Sequence, residues 1–140
     1  MGDCKMKKTL NCLMAVLLLA SCKNDGRIIE PKGGDAHALL MEQEYDFGEV
    51  SDNDGTVEHE FVVANDGGKA FVLLSAKPHC DCTTVDFKQE LVEPGYGTTV
   101  KVSLDVKGLS KGEFMRAVDL FPSCKRDPAN TTITLRGVKL

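Results

Sequence analysis

Short runs in which apolar and polar residues alternate fill the sequence after about residue 39. In residues 100–106, valine and leucine alternate with lysine, serine and aspartate. A period of two places the apolar side chains on one face of a β-strand and leaves the other face in water. No segment of this region has the 3.6-residue apolar period of an amphipathic helix. The sequence therefore predicts an all-β domain over residues 39–140.

Turn residues divide this region into seven predicted strands. Asn65-Asp66-Gly67-Gly68 and Glu93-Pro94-Gly95 are examples of these turns, and the strands recur at roughly 10–15-residue spacing. The first predicted strand covers about residues 40–47. Seven short strands in about 100 residues indicate a seven-stranded immunoglobulin-like β-sandwich, and a small closed barrel is the competing architecture.

The alternation also predicts which side chains form the core. The run 70–76 is apolar on both faces, which is typical of a central strand. Elsewhere the apolar positions of each strand define its inner face. We expect the core to contain Phe61, Val72, Leu74, Val102, Leu104, Val118 and Leu135.

The first 21 residues have the order of a secretory signal. Two lysines, at positions 7 and 8, precede an uncharged and mostly apolar run over residues 10–20. This run is too short to span the roughly 30 Å hydrocarbon core of a bilayer as a helix. It ends in Leu19-Ala20-Ser21-Cys22, which resembles the lipobox of bacterial lipoproteins. The resemblance implies cleavage before Cys22 and acylation of Cys22, so residues 1–21 are interpreted as a lipoprotein signal peptide.

Glycine, proline and charged residues dominate the next segment, residues 22–38. This composition predicts a lipidated, flexible tether that holds the domain off the membrane. The predicted location is the bacterial cell envelope, with the domain anchored in a membrane and facing the periplasm or the cell surface. The membrane is thus one predicted partner, bound through the lipid anchor.

The charge balance argues against other classes of partner. The chain has 17 lysines and arginines against 21 aspartates and glutamates, a formal net charge of −4. An acidic chain without a Lys/Arg cluster lacks the electrostatic footprint of nucleic-acid binding. It also lacks a polybasic patch for anionic lipid. We expect a monomer without a cofactor, whose remaining partner is a protein or glycan of the envelope.

Cysteine is the residue type that could carry chemistry. Of six cysteines, two leave with the predicted signal and Cys22 carries the lipid, so Cys80, Cys82 and Cys124 remain. An odd number in an exported protein indicates at least one free or intermolecular thiol. A direct Cys80–Cys82 bond would close a very small ring and strain the usual disulfide geometry. We therefore expect one disulfide from Cys124 to Cys80 or Cys82, with one thiol left over.

Two other interpretations of these cysteines remain open. His79, Cys80, Cys82 and Cys124 together could ligate Zn(II) or Cu(I), although Cys-x-Cys is tighter than the usual zinc spacing. Thiol exchange is the third interpretation, because a strained disulfide is readily reduced.

No motif resembles a nucleophile elbow or a phosphate-cradling loop, so the sequence predicts a protein that is not an enzyme.

Six motifs follow one another through the domain. They are Tyr45-Asp46-Phe47-Gly48-Glu49-Val50, Val57-x-His59-x-Phe61-x-Val63-x-Asn65-x-Gly67, Cys80-Asp81-Cys82-Thr83-Thr84, Glu93-Pro94-Gly95, Gly112-x-Phe114-x-Arg116-x-Val118 and Leu135-x-Gly137. In this order they resemble the bacterial domain-of-unknown-function 1573 family, over about residues 40–140. The resemblance implies an immunoglobulin-like sandwich that is commonly secreted or lipid-anchored, without supplying an activity. Asp81 stands where the family usually has glycine, His79 precedes the cysteine pair, and Cys124 is an additional cysteine.

Two functional hypotheses follow from the sequence. The first is a lipid-anchored domain that acts as a non-enzymatic binding or structural module of the envelope. The second is an envelope thiol or metal protein that uses Cys80 and Cys82. The sequence favours the first, although a sandwich fold alone does not decide function.

Overall fold

A computed structural model describes residues 26–140, so the predicted signal peptide and Cys22 lie outside the described residues. Nine strands and short helical turns make up this part of the chain. Within it, no helix has the length and apolar character needed to cross a bilayer. The strands are β1 (Ala38–Leu40), β2 (Glu44–Val50), β3 (Thr56–Asn65), β4 (Phe71–Pro78), β5 (Thr83–Phe87), β6 (Leu91–Val92), β7 (Gly97–Asp105), β8 (Gly112–Pro122) and β9 (Thr132–Lys139).

The strands form two sheets that pack face to face, which confirms the predicted all-β sandwich. One sheet has the order β1-β3-β7-β5 and the other has the order β2-β9-β8-β4-β6. Neighbouring strands are antiparallel, except that β2 runs parallel to β9. One-turn 3₁₀ helices cover Asp52–Asp54 and Val106–Gly108, and the short helix α1 covers Pro128–Thr131.

The structure has two more strands than the predicted seven. One predicted strand corresponds to two observed strands, and one short strand was not predicted. The predicted strand 40–47 divides into β1, which pairs with β3, and β2, which pairs with β9. Residues 41–43 carry the chain from one sheet to the other. There the Met41 backbone N donates to the Val62 carbonyl at 2.9 Å, and the Gln43 carbonyl accepts from Thr134 N at 2.7 Å. The two-residue strand β6 pairs with the start of β4.

The core between the sheets contains five of the seven predicted residues. Phe61, Val102, Leu104, Val118 and Leu135 are fully buried. A smaller cluster at one end of the sandwich forms a second part of the core. The main cluster contains Ala38, Leu40, Phe61, Val63, Phe71, Leu73, Val92, Val100, Val102, Val118, Leu120, Ile133 and Leu135. The end cluster contains Val50, Cys82, Leu104, Val106, Leu109 and Phe114.

The prediction that Val72 and Leu74 lie in the core is wrong. In β4 the buried residues are Phe71 and Leu73, whereas Val72 is half-buried and Leu74 is 52% exposed. The run 70–76 is apolar on both faces apart from Ser75, so its pattern does not indicate which set of alternate residues faces inward. A bulge between Leu73 and Ser75, where the register with β8 shifts, then changes the phase of the strand.

The strand register places the connecting loops at two ends of the sandwich. One end, which we call the strap end, has the chain entry near Ala38, the turn after Asn65 and the β8–β9 connection 123–131. The opposite end, which we call the turn end, has the β4–β5 connection 79–82 and the β7–β8 connection 106–111.

Residues 28–37, which we call the strap, lie against the strap end. Backbone N–H groups of Ile28 and Ile29 donate to the Gly95 carbonyl at 2.9 and 3.3 Å. Lys32 N donates to the Asp66 carbonyl at 2.7 Å. The sequence predicts a flexible tether here, whereas the structure docks this part of it on the domain.

Candidate functional site

Cys80 and Cys82 form a disulfide at the turn end of the sandwich. The bond spans a single residue, Asp81, and the two Cα atoms are 5.2 Å apart. The expectation that Cys124 would pair with one of these cysteines is wrong, because Cys124 has a free thiol.

Cys124 cannot reach the pair because it lies at the strap end. Leu73 pairs with Pro122 and Pro78 pairs with Val118, so β4 runs from the neighbourhood of Cys124 towards Cys80. Five strand residues at about 3.3 Å each separate the two regions by roughly 16 Å. Cys124 packs against the main core cluster instead, and burial raises the pKa of its thiol.

Backbone hydrogen bonds fix the Cys80–Cys82 turn on both sheets. His79 N donates to the Ala117 carbonyl of β8 at 3.0 Å. Asp105 N of β7 donates to the Cys82 carbonyl at 2.8 Å, and Thr83 N donates to the Cys80 carbonyl at 3.1 Å. None of these three bonds uses a sulfur atom, so the backbone contributes to holding the two cysteines side by side in addition to the disulfide.

The two sulfur-bearing residues differ in exposure. Cys82 is only 9% exposed and packs in the end cluster. Gly108 lies directly on it, since a Cβ at that position would be 3.0 Å from the Cys82 Cβ. Cys80 is partly exposed and lines a shallow cavity of about 610 Å³ on the outer face of the five-stranded sheet. The other residues around this cavity are His79, Asp81, Met115, Arg116, Ala117 and Thr134.

A polar cluster centred on Asp119 lies beside this cavity. His79 Nε2 is 2.6 Å from Asp119 Oδ2, and Arg126 donates to Asp119 Oδ1 at 2.9 Å. The Thr132 hydroxyl donates to the same Oδ1 at 3.0 Å. The hydrogen bond from His79 is the main reason why the pKa of Asp119 lies below its usual value.

The structure does not assemble the metal site of the alternative interpretation. The His79 ring faces Asp119. Cys80 and Cys82 form a disulfide with each other, and Cys124 lies at the opposite end of the sandwich. Within residues 26–140, no three His, Cys, Asp or Glu side chains are arranged to hold a metal ion. The proposed ligand set of His79, Cys80, Cys82 and Cys124 is therefore wrong.

Met115 is a surface feature that the sequence analysis missed. It lies on β8 and is 60% exposed, with the Cys80 cavity on one side and a second depression on the other. The Phe114-x-Arg116-x-Val118 motif could have revealed it: Met115 alternates with these positions, so its side chain lies on the opposite face of β8 from Phe114 and Val118. The second depression is lined by Asp46, Gly48, Glu49, Glu113, Phe114, Met115, Arg136, Gly137 and Val138.

A second ionic cluster joins the strap to the domain. The Asp66 carboxylate, 4% exposed, contacts the His37 ring nitrogen Nδ1, and Lys32 Nζ lies 3.3 Å from it. Burial opposes ionisation of Asp66, but the hydrogen bonds from His37 and Lys32 outweigh burial and hold its pKa below the usual value. The neighbouring Asn65 is also buried, and its side chain donates to the carbonyls of Lys69 and Val92 at 2.7 and 2.9 Å.

The fold and the cysteine turn together define the class of this protein: a small β-sandwich domain with a disulfide-closed Cys-x-Cys turn at one end. The chain belongs to the family described as protein of unknown function (DUF1573), whose model matches residues 39–138. No curated protein matches the chain.

Solved structures share the fold at low sequence identity. A protein of unknown function from Porphyromonas gingivalis W83 is 16% identical with a TM-score of 0.56, over 82% of this chain and 51% of that chain. The VesB protease of Vibrio cholerae is 13% identical with a TM-score of 0.57, over 74% and 31% of the two chains. The secreted serine protease VesC from the same organism gives 14% and 0.54, over 73% and 23%. This chain thus spans about half or less of each of these proteins.

Proposed function

We propose that this protein is a lipid-anchored protein of the bacterial cell envelope whose sandwich acts as a non-enzymatic binding module for another envelope protein. The anchor rests on the sequence: Cys22 follows two small residues and the apolar run 10–20. Acyl chains on Cys22 would attach the domain to a membrane.

One observation carries the binding role, the exposure of Met115 between two depressions. Met115 pairs with Arg136 of β9, whereas β4 pairs with β8 only from Val118 onwards. Its exposed side chain therefore lies where the outer face of the sheet borders the Cys80–Cys82 turn. Covering an exposed apolar side chain of this size is favourable, at about 25 cal/mol per Å² of apolar surface. Methionine also adapts its shape to different contacting surfaces.

The surroundings of Met115 favour a protein partner over a small ligand. Both depressions are shallow, whereas small-molecule sites are concave and enclose most of the ligand. Charges of both signs surround them, including Arg136, which forms an ion pair with Glu44 at 2.9 Å. An apolar centre within a polar rim is the usual arrangement of a protein–protein interface.

Site-specific photo-crosslinking in intact cells tests this proposal. A photoreactive residue at position 115 should yield a discrete cross-linked protein, and Arg136→Glu in the same chain should reduce its yield. The matched control places the photoreactive residue at Thr84, an exposed position on the outer face of the other sheet. Identical products from both positions, or none from position 115, would contradict a binding face at Met115.

A further inference from the structure

We propose that Cys80 and Cys82 are a redox-active pair that accepts electrons from a dithiol by thiol–disulfide exchange. This role goes beyond the proposed binding function and rests on different residues. The chemical class of the reaction partner is a molecule with two neighbouring thiols, such as a reduced dithiol protein.

The short loop that the Cys80–Cys82 bond closes argues against a stabilising role for this disulfide. A disulfide stabilises a fold mainly by restricting the unfolded chain, and this effect grows with the length of the closed loop. The Cys80–Cys82 bond encloses only Asp81, so the loop is very short. The turn is already held by Thr83 N on the Cys80 carbonyl and by Asp105 N on the Cys82 carbonyl. Opening the bond should therefore leave the sandwich folded.

The same backbone contacts prepare the pair for exchange. Because these contacts hold both cysteines in place, the two thiols of the reduced state would stay side by side. The disulfide could then form again without a rearrangement of the backbone. Exposed disulfides have more oxidising potentials than buried structural ones, and they are the exchangeable class. Cys80 is accessible from the cavity beside Met115.

The difference in exposure assigns a role to each sulfur. Cys80 is the sulfur that an incoming thiolate can reach, whereas Cys82 is covered by the end cluster and by Gly108. Cys82 is thus the leaving group. The Thr83 hydroxyl lies 3.8 Å from Cys82 Sγ and is placed to donate to the thiolate that forms there.

Charged groups around Cys80 are mixed in sign. Arg116 lines the cavity and favours a thiolate, as does the Cys82 backbone N–H, which donates to Cys80 Sγ at 3.3 Å. Asp81 opposes a thiolate because it adds negative charge within the ring. His79 is engaged with Asp119, so its ring is held beside the cavity by an ionised carboxylate.

The exchange has two balanced steps. The thiolate of the dithiol attacks Cys80 Sγ, the Cys80–Cys82 bond breaks, and its electron pair passes to Cys82 Sγ, which takes a proton from water. The second thiol of the dithiol then loses its proton and attacks the first sulfur of the dithiol, which is bonded to Cys80 Sγ in the mixed disulfide. Cys80 leaves as a thiolate and is protonated. The dithiol becomes a disulfide, and the Cys80–Cys82 pair gains two electrons and two protons.

Redox titration of the protein, purified as the cell makes it, tests the proposal. The protein is equilibrated in glutathione buffers of increasing reducing strength, quenched in acid and alkylated, and the thiols are located by peptide mapping. The pair should open in buffers that leave structural disulfides closed. The melting temperature and far-UV circular dichroism should stay unchanged. A pair that remains closed in reduced glutathione, or a domain that unfolds on reduction, would overturn the proposal.

Single-cysteine variants in a Cys124→Ser background test the roles of the two sulfurs. Cys82→Ser, which leaves Cys80, should form a mixed disulfide with oxidised glutathione. Cys80→Ser, which leaves Cys82, should react at least about tenfold more slowly because its thiol is shielded from the reagent. Equal rates would show that attack is not directed to Cys80 and would refute the assignment. Cys124→Ser alone should not change the redox titration of the pair.

Discussion

Leu73 and Leu74 are consecutive residues of β4, yet Leu73 is completely buried between the sheets whereas Leu74 is 52% exposed on the outer face. Chemically the two side chains are identical, so their difference in environment is due only to the phase of the strand. They therefore form an internal control for the packing of this sandwich.

Replacing Leu73 with alanine should lower the free energy of unfolding by about 2–5 kcal/mol, because the change leaves a cavity in the core. Leu74→Ala should change it by no more than about 0.5 kcal/mol, as at other surface positions. Chemical denaturation of both variants measures the two values. Equal losses would contradict the observed phase of β4.

Asp66 should make stability depend on acid pH. Its pKa is lowered in the folded protein, so its contribution is fully present above the unfolded-state value of about 3.9 and is lost as pH falls through the lower folded value. Asp66→Asn should cost about 1.5–3 kcal/mol at neutral pH, because His37 and Lys32 lose a charged hydrogen-bond acceptor. Urea denaturation from neutral pH to about pH 3 should show that the cost shrinks in acid.

Asp35→Asn is the matched control for the Asp66 experiment. Asp35 also belongs to the strap, but its side chain forms an exposed ion pair with Lys69, at 3.1 Å. Exposed pairs contribute little, so this variant should stay within about 0.5 kcal/mol of the wild type at every pH. A cost for Asp66→Asn that is constant with pH would argue that the charge of Asp66 is not responsible.

Cys124 should react slowly with alkylating reagents in the native protein. Burial raises the pKa of its thiol and so reduces the fraction of reactive thiolate at neutral pH. The rate should rise with pH and should increase when the protein is unfolded under non-reducing conditions. Mass spectrometry with Cys124→Ser as the blank follows the reaction, and equal rates in both states would rule out shielding.

Cys22→Ala should abolish labelling of the protein by radioactive fatty acid and leave an unprocessed precursor. The expectation follows from the lipobox-like Leu19-Ala20-Ser21-Cys22. Cys12→Ala, within the apolar run, is the control and should leave labelling intact. Persistent labelling of Cys22→Ala would place any lipid elsewhere.

The sequence was sufficient to predict the fold where polar and apolar residues alternate. In β7 the period of two assigns Val102 and Leu104 to the core, and both are buried. In and just before β4, residues 70–76 are apolar on both faces apart from Ser75, so the pattern does not show which face is buried. A bulge after Leu73 then changes the phase of the strand. The sequence therefore predicted that β4 exists but not which of its residues face inward.

The cysteine pairing required the three-dimensional arrangement. Ring size made Cys124 the better partner on geometric grounds, but the order of strands places Cys124 and Cys80 at opposite ends of β4. Sequence spacing does not contain that information, because it depends on how β4 and β8 pair. The exposure of Met115 was accessible from the alternation in β8, once the inner face was known.

The docked strap has a consequence for how the domain would stand on a membrane. With a lipid on Cys22, only five residues would separate Cys22 from Ile28, whose backbone N–H donates to the Gly95 carbonyl. The six Cα–Cα steps from Cys22 to Ile28 span at most roughly 20 Å. The domain would therefore be held close to the membrane, with its strap end facing the bilayer. The Cys80–Cys82 turn, at the far end of the sandwich, would then point away from the bilayer, towards molecules that diffuse past in the aqueous space.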